Sequence, residues 1–221
     1  METEIKLLFK DPEDLLAITS AGWFDSYCKD KTPESDNRLI NTYFDTPDRR
    51  LNDRKAVVRV RTYDPGDNAR YEHTVKYGGA VVNGLHQRYE WNMPSDSSSF
   101  SSEIFIDSVS EDDDPLDMLK EVLEGIKDEE LVPLCSVEFT RKIYIFRSGG
   151  STVEACIDIG EIRSGEASED ICELELELKS GDISCLMEMA GNIMEQTGSV
   201  TFDESKYHRA LRLHDSVKGN G

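Results

Sequence analysis

Charged residues recur at every second position in several segments of this chain, and within a segment they tend to keep one sign. AVVRVRTY sets Arg59 and Arg61 on one face, opposite Val58 and Val60. ICELELELK sets Glu173, Glu175 and Glu177 opposite Leu174, Leu176 and Leu178. The opening METEIKLLFK interleaves Glu2, Glu4 and Lys6 with Thr3, Ile5 and Leu7. YEHTVKY aligns Glu72 with Lys76, LHQRYEWN aligns His86, Arg88 and Glu90, and STVEACIDIG aligns Glu154 with Asp158. A period of two is the pattern of a β-strand with a polar and an apolar face. CSVEFTRKIYIF departs from it, because Arg141 shares parity with Val137, Phe139 and Ile143. A local twist or bulge is expected there.

The ordinary meaning of such strands is an antiparallel sheet with one face in water. Two features oppose it. Like charges two residues apart on one face repel unless an opposite charge lies between them. The polar faces also carry arginine and paired carboxylates rather than the mixed Lys, Ser and Thr of a solvated surface. A closed barrel with a charged interior and an apolar exterior under helices satisfies both, and about eight strands enclose room for a small ligand. Carboxylate oxygens suit hard divalent cations such as Mg²⁺ or Mn²⁺. Guanidinium and ammonium groups suit phosphate oxygens, arginine in bidentate fashion. Metal together with many cations points to a string of phosphates. Neither a G-x-x-x-x-G-K-[ST] loop nor a G-x-G-x-x-G fingerprint is present, so side chains must do the holding.

The remaining segments fit that plan. DPEDLLAITSAG, PLDMLKEVLEGI, DISCLMEMAGNIMEQ and DESKYHRALRLH read as helices. The glycines after RYEHTVKY (Gly78, Gly79 and Gly84) read as a loop, and PSDSSSFSSE with SVSEDDDP reads as a solvated connection. Strand spacing is too short for repeated βαβ units, so the sheet is expected to be antiparallel. The fold class is α+β: a closed eight-stranded antiparallel tunnel with a polar interior and helices outside, in a single domain over 1–221. The 45 acidic and 25 basic residues give a net charge of −20, which repels nucleic acid and anionic membranes at long range. No apolar run reaches the roughly 20 residues of a membrane span, and no basic leader opens the chain. The five cysteines form no C-x-x-C pair and point to reduced thiols in the cytoplasm. They and His86 are expected to pack or to line the rim.

The opening ETEIK fits the E-x-E-x-K signature of the CYTH, or triphosphate tunnel metalloenzyme, superfamily. NTYFDTP, VRVR, TVK, HQRYE, TRK, CIDIGE, ICELELELKSGD and SKY follow in order, so the chain resembles that superfamily from Glu2 to about His208. GLHQRYEWN and ICELELELKSGD look most like its bacterial inorganic triphosphatase branch, whose members often carry a further helical domain. The resemblance implies hydrolysis of a triphosphate chain, tripolyphosphate first, with Mg²⁺ or Mn²⁺ at two sites and a small-molecule triphosphate as the substrate bound. It implies Glu2, Glu4, Asp158, Glu173 and Glu175 as metal ligands. Lys6, Arg59, Arg61, Lys76, Arg88, Arg141 and Lys206 would hold phosphates. Glu2, Glu4, Lys6, Glu173 and Glu175 would carry the chemistry. The register of ELELE leaves Glu173–Glu175 and Glu175–Glu177 both open as the ligand pair, and Glu90 is a further inward candidate. Alternatives on the same tunnel are a class IV-type adenylate cyclase, a thiamine or nucleoside triphosphatase, and a polyphosphate-binding module without turnover.

Overall fold

In the computed structural model, which describes residues 1–110, 115–127, 129–164 and 166–218, the alternating segments are all strands. They are β1 (Glu2–Leu8), β2 (Ser35–Asp45), β3 (Ala56–Tyr63), β4 (Arg70–Val82), β5 (Leu85–Ser95), β6 (Val132–Ser148), β7 (Ser151–Ser164) and β8 (Ala167–Ser180). Neighbours run in the order β5-β4-β3-β2-β6-β7-β8-β1, and a β1–β5 ladder closes the ring. Every ladder in it is antiparallel. A two-residue strand, β9 (Val200–Thr201), continues along β1 where β5 stops.

The helices are α1 (Pro12–Ala17), α2 (Phe24–Tyr27), α3 (Arg50–Asp53), α4 (Ser102–Ser108), α5 (Leu116–Glu124), α6 (Ile183–Thr197) and α7 (Lys206–Lys218). The apolar faces of the strands point outward, beneath them. Ile5, Leu7, Phe146, Ala155, Leu174 and Leu176 are buried with Leu15, Phe24, Leu186 and Ile193 of α1, α2 and α6. On the other side Val58, Val75 and Trp91 are buried with Leu51, Phe105, Leu119 and Leu123 of α3, α4 and α5. Each such aliphatic or aromatic side chain contributes about 1.5–3 kcal/mol through burial, so the barrel is held from outside. Its interior is thereby free to be polar.

Helix α7 is placed differently. Tyr207, Ala210 and Leu211 pack on Leu39, Val137, Phe139, Ile162 and Ile171. Those strand residues share parity with Asn41, Arg141, Asp158 and Glu173, so α7 closes off part of the inner face. This corrects the expectation for β6. Its pairing with β7 runs unbroken from Val137 to Ser148, without a bulge at Arg141. Val137 and Phe139 face inward beside Arg141 because α7 gives them an apolar partner there.

Two loop expectations also change. The serine-rich stretch ends in α4, where Ser101 accepts from the Ile104 amide and Phe105 is fully buried. The acidic residues 111–114 lie outside the described residues. The glycine segment is the β4–β5 hairpin rather than a loop. Asn83 and Gly84 take left-handed conformations (φ 52° and 78°), as a two-residue hairpin turn requires. Gly79 sits at a register shift with φ 111°, where a Cβ would come within 2.5 Å of the Gln87 carbonyl oxygen. Among the described residues no helix is long and apolar enough to cross a membrane.

Candidate active site

The inward faces of the strands enclose a cavity of about 880 Å³. Glu2, Glu4, Lys6, Arg59, Arg61, Lys76, Arg88, Arg141, Glu175 and Lys206 all line it. Asp158 and Glu173 share the inward face but are fully buried and do not line the cavity.

Strand register creates an acidic wall. Asp158 lies directly across from Glu173 on β7 and β8, and Glu154 across from Glu177. Like charges in opposite positions destabilise a sheet unless cations reach them. Two cations reach the first pair. Arg141, itself opposite Asp158, donates from Nε to Asp158 Oδ1 at 2.7 Å and from Nη2 to Oδ2 at 2.5 Å. It also donates to Glu175. Lys206, the first residue of α7, places Nζ 2.7 Å from Asp158 Oδ2, 2.5 Å from Glu173 Oε1 and 3.0 Å from Glu175 Oε1. Lys6 adds contacts of 3.3 Å to Glu4 and 3.2 Å to Glu175. Burial works against the Glu175 carboxylate, but Lys206, Lys6 and Arg141 hold its pKa well below the usual range. Burial likewise opposes the Lys206 ammonium, and the three facing carboxylates push its pKa far above the ordinary lysine value.

The opposite wall is built by β3, β4 and β5. Arg59 donates to Thr74 Oγ1 at 2.6 Å and Arg61 to Asn41 Oδ1 at 2.9 Å. Arg88 bridges Glu2 (2.6 Å) and Glu4 (2.8 Å), and Lys76 pairs with Glu2 (3.3 Å) and with Glu90. Burial and the neighbouring Arg61 charge lower the Arg59 pKa, and its buried Nε has no hydrogen-bond partner. An unpaired buried donor costs roughly 1–3 kcal/mol, and more on a charged group such as a guanidinium. Burial lifts the Glu2 carboxyl to about 7 despite Lys76.

Several inward residues were not singled out for roles from the sequence. Glu72 and Glu154 line the cavity, together with Glu177 and Glu90, which were already candidates from the sequence. The same alternation that marks Lys76, Asp158, Glu175 and Arg88 carries them. Asn41, Thr74 and Asn92 give no charge signal; they complete an Arg59–Thr74–Asn92 chain and the Arg61–Asn41 bond. Arg209, one helical turn after Lys206, lies 3.8 Å from Glu173 and could have been found by that spacing. His86 and Cys156 also face the cavity, His86 within 3.2 Å of the Phe202 carbonyl and Cys156 within 3.7 Å of Glu154.

The acidic wall suits a hard divalent cation. One oxygen from each of Asp158, Glu173 and Glu175 lies within 4.8 Å of the others, and all the donors are carboxylates. Glu173 is fully buried; its Oε2 has no hydrogen-bond partner, and its contact with Lys206 lacks hydrogen-bond geometry. All three ELELE glutamates face inward. Glu173 lies at the buried base, Glu175 in the middle and Glu177 along the cavity, so backbone register alone keeps both ligand pairs in reach.

A closed antiparallel barrel with a charged interior is one fold class, and a family model for the CYTH domain matches residues 1–211. The chain belongs to the CYTH domain family. It is 32% identical over 178 residues to an inorganic triphosphatase of Haemophilus influenzae. The match covers 79% of this chain and 46% of that protein, so this chain spans about half of its relative. Among solved structures it is similar to an adenylyl-cyclase-type protein of Hippeastrum with a dominant triphosphatase activity. That likeness has a TM-score of 0.64 at 19% identity, covering 96% of this chain and 95% of the other. The PH1819 protein of Pyrococcus horikoshii gives 0.55 at 14% identity over 96% and 99%. At these identities the likeness is one of fold.

Proposed function

We propose that this chain hydrolyses a triphosphate chain with Mg²⁺ or Mn²⁺, with inorganic tripolyphosphate as the leading substrate and diphosphate and orthophosphate as products. The observation that supports it most is the meeting of two walls in one cavity: β1, β7 and β8 bring carboxylates, and β3, β4 and β5 bring arginines and lysines, with Glu72 and Glu90 among them. A cation-binding surface and an anion-binding surface at this range fit a metal–polyphosphate complex better than either component alone. The activity of the Haemophilus relative supports the same reading.

In this reading Glu2, Glu4, Asp158, Glu173 and Glu175 hold divalent cations at two sites. A divalent cation bound there neutralises charge on the phosphates and acidifies water. The side chains do the rest. Arg59, Arg61, Lys76 and Arg88 clamp phosphoryl oxygens, and the orphaned Arg59 Nε gains an acceptor when they do. Lys6, Arg141 and Lys206 stand between the walls and stabilise charge on the transferred group and on the departing diphosphate. Water attacks the terminal phosphorus in line, and no side chain need form a covalent intermediate. The helices keep bulk water from the outer face, so the ionic contacts act in a low-dielectric interior.

The test is incubation with tripolyphosphate, thiamine triphosphate and ATP in separate reactions, each with and without Mg²⁺ or Mn²⁺, with every product identified. Metal-dependent orthophosphate release, fastest from tripolyphosphate, is the expected result. Cyclic AMP from ATP, or binding without any product, would replace this reading with a cyclase or a binding module.

A further inference from the structure

Asp158 and Glu173 are the most deeply buried acids of the tunnel, and a cation entering through the cavity cannot reach them directly. Neither lines the cavity, whereas Lys206 does. The ammonium of Lys206 lies between the cavity and these acids, touching Asp158, Glu173 and Glu175 at 2.5–3.0 Å. It therefore sits where an ion shared by the same oxygens would sit. Two positive centres cannot occupy one such point. Arg141 holds Asp158 and Glu175 from the strand side, and Lys206 is the cation in contact with all three acids.

We propose that Lys206 is a displaceable counter-ion. It occupies the divalent-cation position among Asp158, Glu173 and Glu175 until metal arrives, then turns into the cavity as a phosphate-binding cation. The inference rests on the metal-and-triphosphate reading above and adds an order to it: metal entry liberates part of the phosphate clamp.

Three observations favour displacement over a permanent anchor. Asp158 and Glu175 keep a second cation in Arg141, and Glu175 a third in Lys6, so these carboxylates are not stranded when Lys206 leaves. Its contact with Glu173 lacks hydrogen-bond geometry, and Glu173 Oε2 is unpartnered though fully buried. A built-in anchor would be expected to satisfy both oxygens. Lys206 is also the first residue of α7, after the non-helical segment 202–205, so its four-carbon stem can swing while the apolar face of the helix stays seated on Phe139 and Ile162. Phe139 is already beside the moving group, with Nζ 5.1 Å from its ring centroid.

The experiment uses the metal alone, without substrate, so that it does not depend on turnover. Mn²⁺ is titrated calorimetrically into the metal-free wild-type chain and into Lys206→Met, and tripolyphosphate into each at saturating Ca²⁺ as a slow-turnover metal. Removing the competing ammonium should tighten Mn²⁺ binding roughly tenfold, the scale of ordinary coupling between linked sites, and weaken tripolyphosphate binding. Equal or weaker Mn²⁺ binding by the variant identifies Lys206 as a permanent anchor and overturns the proposal while leaving the metal site intact. Absence of Mn²⁺ binding to both proteins removes the site and the proposal together. Should Lys206→Met fail to fold, reductive methylation of the wild-type chain decides the question. Lys206 should become markedly more reactive at saturating Mg²⁺, and unchanged reactivity would overturn the proposal.

Discussion

The two walls of the tunnel solve opposite electrostatic problems. On the acidic wall, opposed carboxylates such as Asp158 and Glu173 are made tolerable by cations imported from other elements, Arg141 from β6 and Lys206 from α7. On the basic wall, Arg59 and Arg61 make their short hydrogen bonds to neutral Thr74 and Asn41 (2.6 and 2.9 Å), their contacts with Glu72 and Glu90 are longer (3.4–3.9 Å), and Arg59 is left with an orphaned donor. The acidic wall is thus internally compensated and stable without a ligand, while part of the basic wall is short of an anion. In the proposed reading, stability and binding fall on different strands of the same barrel.

Substitutions on the two walls should separate these roles. The largest effect is expected from Glu4→Gln, which keeps the shape of the side chain contacting Lys6 and Arg88 but removes its charge. Metal-dependent turnover should fall by about 10²–10³-fold, the loss of roughly 3–4 kcal/mol of transition-state stabilisation, with the thermal midpoint little changed. Steady-state kinetics with Mg²⁺ checks it, and wild-type turnover would remove Glu4 from the metal set. Next come the two arginines. Arg141→Ala strands Asp158 and should cost about 3–5 kcal/mol in denaturant unfolding. Arg59→Ala should cost clearly less stability than Arg141→Ala while lowering kcat/KM about 10–100-fold, mainly through KM. Equal destabilisation by both would erase the distinction between the walls.

Glu2 gives a smaller, pH-dependent effect. Its carboxyl titrates about 7 in the folded chain against 4.5 as the reference value. Between those values the folded state holds the extra proton, so the stability this group contributes is full below about pH 4.5 and lost as pH rises through about 7. Metal-free Glu2→Gln should therefore match wild type near pH 4.5 and exceed it by about 2–3 kcal/mol above pH 7. Urea titrations across that range measure the difference, and a constant offset would refute the assignment. The smallest effect belongs outside the tunnel. Arg38 and Glu138 pair on the exposed surface, so Arg38→Gln should change stability by less than about 1 kcal/mol and leave turnover alone.

Much of this arrangement was legible in the sequence because a barrel interior obeys the two-residue period. Arg59 with Arg61 and Glu173 with Glu175 announce an inward face as soon as a solvated sheet is rejected. The period fails where a partner comes from elsewhere in the chain. Val137 and Phe139 looked misplaced beside Arg141 because nothing local shows that α7 folds onto that face. Phe105, just after the serine-rich stretch, was missed for the same reason: its burial depends on α5 and the outer face of the barrel. Asn83–Gly84 was a readable hairpin signal, obscured by the surrounding glycines. The depth of Asp158 and Glu173, and the position of Lys206 above them, are properties of three elements meeting and have no sequence period.

The most direct test of the two-wall account is phosphorus NMR of the wild-type chain with tripolyphosphate, run with Mg²⁺ and again with chelator. The account predicts equimolar diphosphate and orthophosphate with metal and intact tripolyphosphate without it. Undiminished cleavage in chelator, or an unchanged tripolyphosphate spectrum in both, would contradict it.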